Sequence, residues 1–306
     1  MSLNHSLRAG TLLLTLTLAA GTSFAQYEHR VNQVDGSTLV DPIMGIDSIS
    51  FDLNGGPTMH IQRINGTFDQ VDLQAVDSVD FAPVNTWTFV DTRDGNVYTA
   101  ITIGDQCWMA ENLRYLPEVT HSIVGGSGTH YYVFGYNGYD TAAAKATENY
   151  QIYGALYSWG AASGQQNSTT NPSGVQGVCP DGWHLPSDAE VKQLEVFLGM
   201  TQAQADGNNS RGTDQGSRLA GTTALWSAGA LRNDPAFGSS GFNMLPGSVR
   251  NIGGWGAATG QQASFWTTTY SGGEAWFRTL YHTTPQIYRS KIATQYGMSV
   301  RCVCDQ

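Results

Sequence analysis

The side chains that most often perform chemistry in proteins are few in this sequence and widely spaced. The seven histidines are at positions 5, 29, 60, 121, 130, 184 and 282. None forms an HxH or HExxH pattern, and no cysteine pair has the CxxC spacing that supports zinc binding. His184 lies in the sequence GWHLP just before a predicted helix, where a packed, hydrogen-bonded histidine is favoured over a ligand or base. We therefore expect no catalytic constellation, no metal site and no cofactor.

The four cysteines are Cys107, Cys179, Cys302 and Cys304. An even number in an exported chain favours disulfides over reactive thiols. Cys302 and Cys304 lie two residues apart in a predicted strand, about 6.6 Å between Cα atoms, which is near the upper limit for a disulfide. Each is therefore expected to pair with a distant cysteine. We favour the pairs Cys179–Cys302 and Cys107–Cys304, and the swapped arrangement is the main alternative.

The carboxylates offer one polar pair within a strong motif and one possible calcium loop. Glu111 and Asn112 form the pair, for which capping of the backbone at a strand exit is favoured over acid–base chemistry. Asp91, Asp94 and Asn96 lack the alternate spacing and the final glutamate of an EF-hand loop. The hairpin turn predicted at Asp94 and the glycine after it explains these three residues without a metal.

Eight tryptophans and fourteen tyrosines are the remaining chemical signal. Trp255 stands in the sequence GGWG, where its neighbours offer little cover, and Tyr270 precedes the sequence SGG. A ring exposed on such a loop could stack on a sugar or anchor a protein partner, so both residues are candidate ligand contacts. The alternative is that each ring closes its own loop. A second candidate patch of the same kind consists of Tyr131, Tyr132, Tyr136 and Tyr139.

The elements that must position these residues are short. Ser187 and Glu190 have the spacing of a capping box, which predicts a helix from Ser187 to about Leu198 with Val191 and Leu194 on its buried face. A second short helix is predicted over residues 153–162. Alternating apolar residues on both sides of the Asp94 turn predict a hairpin. Residues 121–150 are predicted to be a long surface loop or insertion.

The first 25 residues are predicted to be a cleaved signal peptide. His5 and Arg8 provide a positive start, residues 11–20 form an apolar run, and residues 23–25 supply small residues for a signal peptidase. The run is shorter than the roughly 20 apolar residues that span a membrane, and no later run reaches that length. We therefore expect an exported protein, extracellular or at the cell surface or periplasm, without a transmembrane segment after signal removal.

Residues 26–85 contain an internal repeat with an offset of 30 residues. The corresponding segments are 31–36 (VNQVDG) with 61–66 (IQRING), and 46–51 (IDSISF) with 76–81 (VDSVDF). The Asp-Gly and Asn-Gly pairs are strong hairpin signals, so each copy is predicted to be a hairpin followed by a third strand. One copy cannot bury its apolar face alone, and the two are expected to pack together as a small β module. A surface-attachment or spacer role is an open alternative.

The charge of the chain excludes one class of partner. The net charge is −10 and only 13% of residues are charged. A protein that binds nucleic acid presents a basic footprint, and this sequence has none, so we expect no nucleic-acid partner.

Five ordered motifs resemble those of one protein family. They are Asp91–Gly95 with Ile103–Leu113 (IGDQCWMAENL), Cys179–Pro186 (CPDGWHLP), Gly241–Gly247 (GFNMLPG), Phe265–Trp266 and Ser299–Cys302 (SVRC). In this order they resemble the Fibrobacter succinogenes major paralogous domain family, over roughly residues 87–304. That family is similar to C-type-lectin-like folds in the group that includes formylglycine-generating enzymes. The resemblance implies no catalytic residues, and the calcium-dependent sugar triplets EPN and QPD are absent from the sequence.

We therefore expect an α+β, C-type-lectin-like domain of short strands, few helices and long loops at residues 86–306, after a small β repeat module at residues 26–85. The expected function is non-enzymatic recognition or adhesion outside the cell, with a glycan, polymer or protein as ligand. One alternative is a copper-thiolate oxidase related to formylglycine-generating enzymes, since SVRC resembles the stretch that contains one of their active cysteines. It would use Cys302 with Cys304 as the only close second thiol. Another alternative is a structural component of the cell envelope.

Overall fold

The computed structural model describes residues 27–35, 37–42, 46–52, 58–63, 67–83 and 86–305. The predicted signal peptide lies outside these residues, as do the turn residues Gly36, Asn65 and Gly66. The chain divides into two compact units between Asn85 and Thr86. We call the described residues of 27–83 the repeat module and residues 86–305 the main domain. Among the described residues, no helix has the length and apolar character needed to cross a bilayer.

The repeat module consists of two three-stranded antiparallel sheets. Its strands are β1 (Tyr27–Gln33), β2 (Thr38–Pro42), β3 (Ile46–Asp52), β4 (Thr58–Arg63), β5 (Phe68–Asp72) and β6 (Val76–Pro83). One sheet has the order β2-β1-β6 and the other has the order β3-β4-β5. Val31 from the first sheet shares an apolar core with Met59, Ile61 and Val71 from the second. The sheets therefore cover each other's apolar faces.

Both predicted hairpins of the module are present, but the third strand of each copy pairs with the other copy. The hairpins are β1–β2 and β4–β5. Strand β6, from the second copy, lies beside β1, and strand β3, from the first copy, lies beside β4. Each sheet is thus built from both copies.

The main domain combines short helices with antiparallel sheets. Its strands are β7 (Thr86–Val90), β8 (Val97–Ile103), β9 (Gln106–Met109), β10 (Tyr131–Tyr132), β11 (Leu156–Tyr157), β12 (Trp183–His184), β13 (Asn209–Arg211), β14 (Arg250–Asn251), β15 (Gly254–Trp255), β16 (Gln262–Ser271), β17 (Glu274–Tyr281), β18 (Ile287–Ala293) and β19 (Val303–Cys304). Its helices are α1 (Thr141–Lys145), α2 (Glu148–Tyr153), α3 (Trp159–Ser163), α4 (Asp188–Phe197), α5 (Gln202–Asp206), α6 (Gln215–Leu219) and α7 (Ala230–Asn233).

Two larger sheets organise the main domain. The five-stranded sheet has the order β12-β19-β9-β8-β7, and the four-stranded sheet has the order β13-β18-β17-β16. Two further sheets, β10-β11 and β14-β15, have only two strands each. The mixture of helices and antiparallel strands is α+β, as predicted.

The long predicted helix is confirmed. The Ser187 hydroxyl accepts from the Glu190 amide at 3.2 Å, and Glu190 Oε2 accepts from the Ser187 amide at 2.8 Å, which completes the capping box at the start of α4. Val191, Leu194 and Leu198 are buried. Because each of these contacts joins residues within four positions of one another, the sequence pattern was sufficient to place this element.

Two local predictions were wrong. The helix predicted over residues 153–162 begins only at Trp159, because the backbone of Tyr157 exchanges two hydrogen bonds with Met298 and is held extended in β11. Residues 121–150 are not one surface loop, since they contain β10, α1 and the start of α2. Asp140 caps α1 by accepting hydrogen bonds from two amides of its first turn.

The disulfides have the favoured pairing. Cys107 is bonded to Cys304, with Cα atoms 5.5 Å apart, and Cys179 is bonded to Cys302, with Cα atoms 6.0 Å apart. These bonds close loops of 197 and 123 residues. Both therefore fix strand β19 and the residues before it in the interior of the five-stranded sheet.

Candidate binding surface

His184 is fully engaged inside the fold. Its Nε2 lies 2.6 Å from Glu190 Oε1, and its Nδ1 lies 2.7 Å from Asp305 Oδ1. Burial alone would lower its pKa, but the hydrogen bonds and negative charges of Glu190 and Asp305 raise the pKa of His184 overall. The second Glu190 oxygen accepts from the amides of Ser173 and Ser187. The residue therefore has the packed, hydrogen-bonded role predicted for it.

Glu111 and Asn112 also serve the backbone. Glu111 Oε1 accepts from the Thr99 amide at 3.0 Å, and Asn112 Nδ2 donates to the Tyr153 carbonyl at 2.9 Å. Asn112 Oδ1 accepts from Arg301 Nε at 3.1 Å. The capping role favoured from the sequence is confirmed for this pair.

Arg301, in the SVRC motif, is a buried cation surrounded by carbonyl groups. Its guanidinium donates to the carbonyls of Met109, Phe242 and Asn243, and it lies 4.6 Å above the Phe242 ring. Burial lowers the pKa of Arg301 to about 9. Arg301 thereby joins the GFNMLPG segment to the end of β9, a role that sequence reasoning missed.

The three residues of the possible calcium loop pair within their own turn. Both Asp91 carboxylate oxygens accept from the Arg93 guanidinium, and Asp94 accepts from the amide and side chain of Asn96. The Gly95 amide donates to the Asp91 carbonyl at 2.8 Å, and Gly95 has a positive φ of 75°. The turn geometry thus accounts for these side chains.

Five buried charged side chains form a network between α4 and the four-stranded sheet, which we call the ionic cluster. It consists of Asp188, Glu195, Arg211, Arg278 and Arg289. Arg278 contacts Asp188 at 2.8 Å and Glu195 at 2.7 Å. Arg211 contacts Glu195 at 2.6 Å, and Arg289 contacts Asp188 at 2.7 Å.

The arginines of the ionic cluster favour the charged form of Asp188. Burial alone would raise the pKa of Asp188, but the hydrogen bonds and charges of Arg289 and Arg278 hold it well below its ordinary value. Sequence reasoning missed the cluster because its partners are up to 101 residues apart in the chain. Its carboxylates face cations on both sides, which is the arrangement of a structural network.

The cysteine of the oxidase alternative is not a thiolate in the structure. Cys302 is bonded to Cys179, and the nearby Cys304 is bonded to Cys107. A copper site of the kind considered for the sequence needs two thiolates. Here both sulfurs are taken up in disulfides with distant partners.

Tyr270 lies at the end of β16 and is half-buried. Its ring stacks on Trp159 with 5.0 Å between ring centroids and 24° between planes. Its amide donates to Asn167 Oδ1 at 2.9 Å. One side of this candidate contact is therefore occupied by the domain's own core.

Trp255 lies in β15, opposite Arg250 of β14, and is half-buried. Its ring packs on Phe134 with 5.1 Å between centroids. Its Nε1 donor is covered by protein and has no acceptor among the described residues. No ring contact joins Trp255 to Tyr270 within residues 86–305. Trp255 instead meets the segment that contains the second predicted aromatic patch.

The four tyrosines of that patch have different environments. Tyr132 is buried, Tyr131 and Tyr136 are half-buried, and Tyr139 is exposed. Tyr131 meets the core Tyr157 edge-on at 5.8 Å. Within the patch, Tyr139 is thus the tyrosine most available to a ligand.

Arg250 connects the two loop segments. Its guanidinium donates to the carbonyls of Ser122, Val124 and Gln295 at 2.7 to 2.9 Å. It also lies 4.8 Å above the Tyr132 ring. Because Arg250 is buried, these bonds hold residues 122–124 against the β14–β15 hairpin. Sequence reasoning missed both Arg250 and Phe134, and only the aromatic run around Phe134 gave a signal.

We call the surface formed by residues 121–139 and 250–255 the loop face. Four large apolar side chains of the loop face are exposed: Tyr139 (69%), Ile123 (66%), Ile252 (56%) and Val124 (38%). The Trp255–Phe134 pair belongs to the same surface. Such a concentration of exposed apolar groups around a half-buried aromatic pair is typical of a contact surface.

The comparisons with known proteins identify one family. A family model described as the Fibrobacter succinogenes major domain matches residues 101–304 of the 306-residue chain. The match includes both disulfides, α4 and the whole loop face. No curated protein and no solved structure matches the chain.

Proposed function

The chain belongs to the Fibrobacter succinogenes major domain family, and from this premise we propose that its main domain is an exported recognition module that binds a ligand at the loop face. The ligand is an extracellular glycan, another polymer or a protein. The observation that carries the proposal is the contact between Trp255 and Phe134, which joins two separately suspected aromatic segments in one surface.

A binding role fits the way the polar side chains are used. His184, Glu111 and the ionic cluster are each engaged in bonds that hold the fold. The loop face instead offers apolar tips and aromatic rings, which supply contact area at low entropic cost. The buried Trp255 Nε1, which has no acceptor among the described residues, also supports a binding role. A ligand that reached this donor and accepted its hydrogen bond would gain about 1–3 kcal/mol.

We further propose that the main domain is related to C-type-lectin-like folds. Support comes from short strands that carry long loops between α4 and β16, and from two disulfides that fix the end of the domain. The disulfides also support export, because such bonds persist in oxidising compartments.

The proposal is tested by binding measurements on the mature protein against arrays of cell-wall glycans, other extracellular polymers and secreted proteins. For any ligand found, Ile252→Ser and Tyr139→Ser are expected to weaken binding by about tenfold or more, because exposed apolar contacts would be lost. Val97→Ser is the matched control, since Val97 is 52% exposed on β8, outside the loop face. Equal effects of the three variants would contradict the assignment of the site.

Measurements of both affinity and stability distinguish the two aromatic candidates, Trp255 and Tyr270. Trp255→Ala is expected to lower affinity. Tyr270→Ala removes the stack on Trp159 and is expected to cost about 1 kcal/mol of domain stability. If Tyr270→Ala leaves affinity unchanged once the protein is folded, Tyr270 does not belong to the binding surface.

A further inference from the structure

The two copies of the repeat make the same strand pairings in the same register. Val31 of β1 lies opposite Val79 of β6. The corresponding residue of the second copy, Ile61 of β4, lies opposite Ile49 of β3. The repeat offset of 30 residues relates Val31 to Ile61 and Ile49 to Val79, so the two pairs are equivalent. The module therefore has an internal twofold relation, in which each copy gives one strand and receives one.

Two separate chains that exchange their third strands form a strand-exchanged dimer. The repeat module has the same arrangement, with both halves on one chain. In a symmetric dimer the same surface serves both partners, so that each contact occurs twice. If the second copy were absent, strand β1 would lose its partner β6 and be left with an unpaired edge, and the buried Val31 would lose the core it shares with Met59 and Ile61 of β4. One copy is thus incomplete in both its backbone pairing and its apolar cover.

We propose that the binding partner of one copy of this repeat is a second copy of the same repeat, and that the module joins chains whenever the second copy is supplied by another molecule. In the intact chain the two copies are tethered, and the resulting effective concentration favours closure within the chain. A chain with only one copy has no such partner and must take the third strand of another chain. The inference does not depend on any ligand of the main domain.

The test uses the mature chain without residues 56–83, which retains the first copy and the whole main domain. Sedimentation analysis is expected to show twice the monomer mass for this single-copy chain, and a monomer mass for the intact chain at the same concentration. A monomeric single-copy chain overturns the proposal, whether its remaining copy is resistant or sensitive to protease.

Matched variants show whether the dimer uses the proposed surface. Val31→Asp in the single-copy chain places a charge in the core and is expected to restore the monomer, because Val31 is fully buried. Val34→Asp makes the same change at a side chain that is 70% exposed, and it is expected to leave the dimer intact. A dimer that survives Val31→Asp overturns the proposal, because association would then use another surface.

Discussion

The repeat module and the main domain close their chains by different kinds of contact. In the module, closure consists of backbone pairing between two similar copies over a small core that includes Val31 and Ile61. In the main domain, closure depends on unique pairs of distant residues, namely the two disulfides and the ionic cluster. The comparison teaches that contacts of the first kind can be supplied by any copy of the repeat. Contacts of the second kind depend on particular side chains and are lost when one of them is replaced.

Removing a disulfide is expected to give the largest loss of stability, and to confine that loss to the main domain. The double change Cys107→Ala with Cys304→Ala should destabilise the main domain by about 4–5 kcal/mol, because the unfolded chain regains the freedom of a long loop. Denaturant titration followed by tryptophan fluorescence measures the loss. The module has no cysteine, so its strand content should survive. Simultaneous loss of both units would contradict the separation drawn between them.

A somewhat smaller loss is expected from the ionic cluster. Glu195→Leu leaves Arg211 and Arg278 without their shared carboxylate, and such uncompensated buried charges cost about 3–5 kcal/mol. The control is Asp214→Leu, which breaks the partly exposed pair of Asp214 with Arg218 and should cost at most about 1 kcal/mol. Calorimetry compares the free energies of unfolding of the two variants. Similar losses of stability would mean that the cluster contributes no more than a surface ion pair.

The smallest effect expected is a dependence of main-domain stability on pH through His184. The pKa of His184 is raised in the folded domain above its ordinary value of 6.5. The stabilisation is therefore complete below pH 6.5 and is lost as the pH rises through the raised pKa. Urea titrations between about pH 6 and about pH 9 should show this slope, and His184→Gln should remove it. A slope that persists in His184→Gln would assign the effect to another group.

Local patterns in the sequence were sufficient for the elements whose contacts are local. The capping box of Ser187 and Glu190 and the hairpin at Asp94 each depend on residues a few positions apart. For the disulfides, strand geometry disfavoured a bond between Cys302 and Cys304 and left two pairings, of which the favoured one is present. In these cases the chain offered few alternatives.

Contacts between distant segments could not be read in the same way. The ionic cluster joins Asp188 to Arg289, and the loop face joins Phe134 to Trp255, with no periodic signal that connects them. The strand exchange in the module was hidden for a different reason. Because the copies have nearly the same pattern, either hairpin would suit either third strand, and only the tertiary structure distinguishes the two choices.

The position of β19 has a consequence for the order of events during synthesis. This strand comes last among the strands of the main domain, yet it lies between β12 and β9 in the interior of its sheet. A chain that emerges from the ribosome N-terminus first cannot complete the five-stranded sheet, or form either disulfide, until residues 302–304 have been made. Completion of the main-domain sheet is thereby delayed until the last residues of the domain have been made.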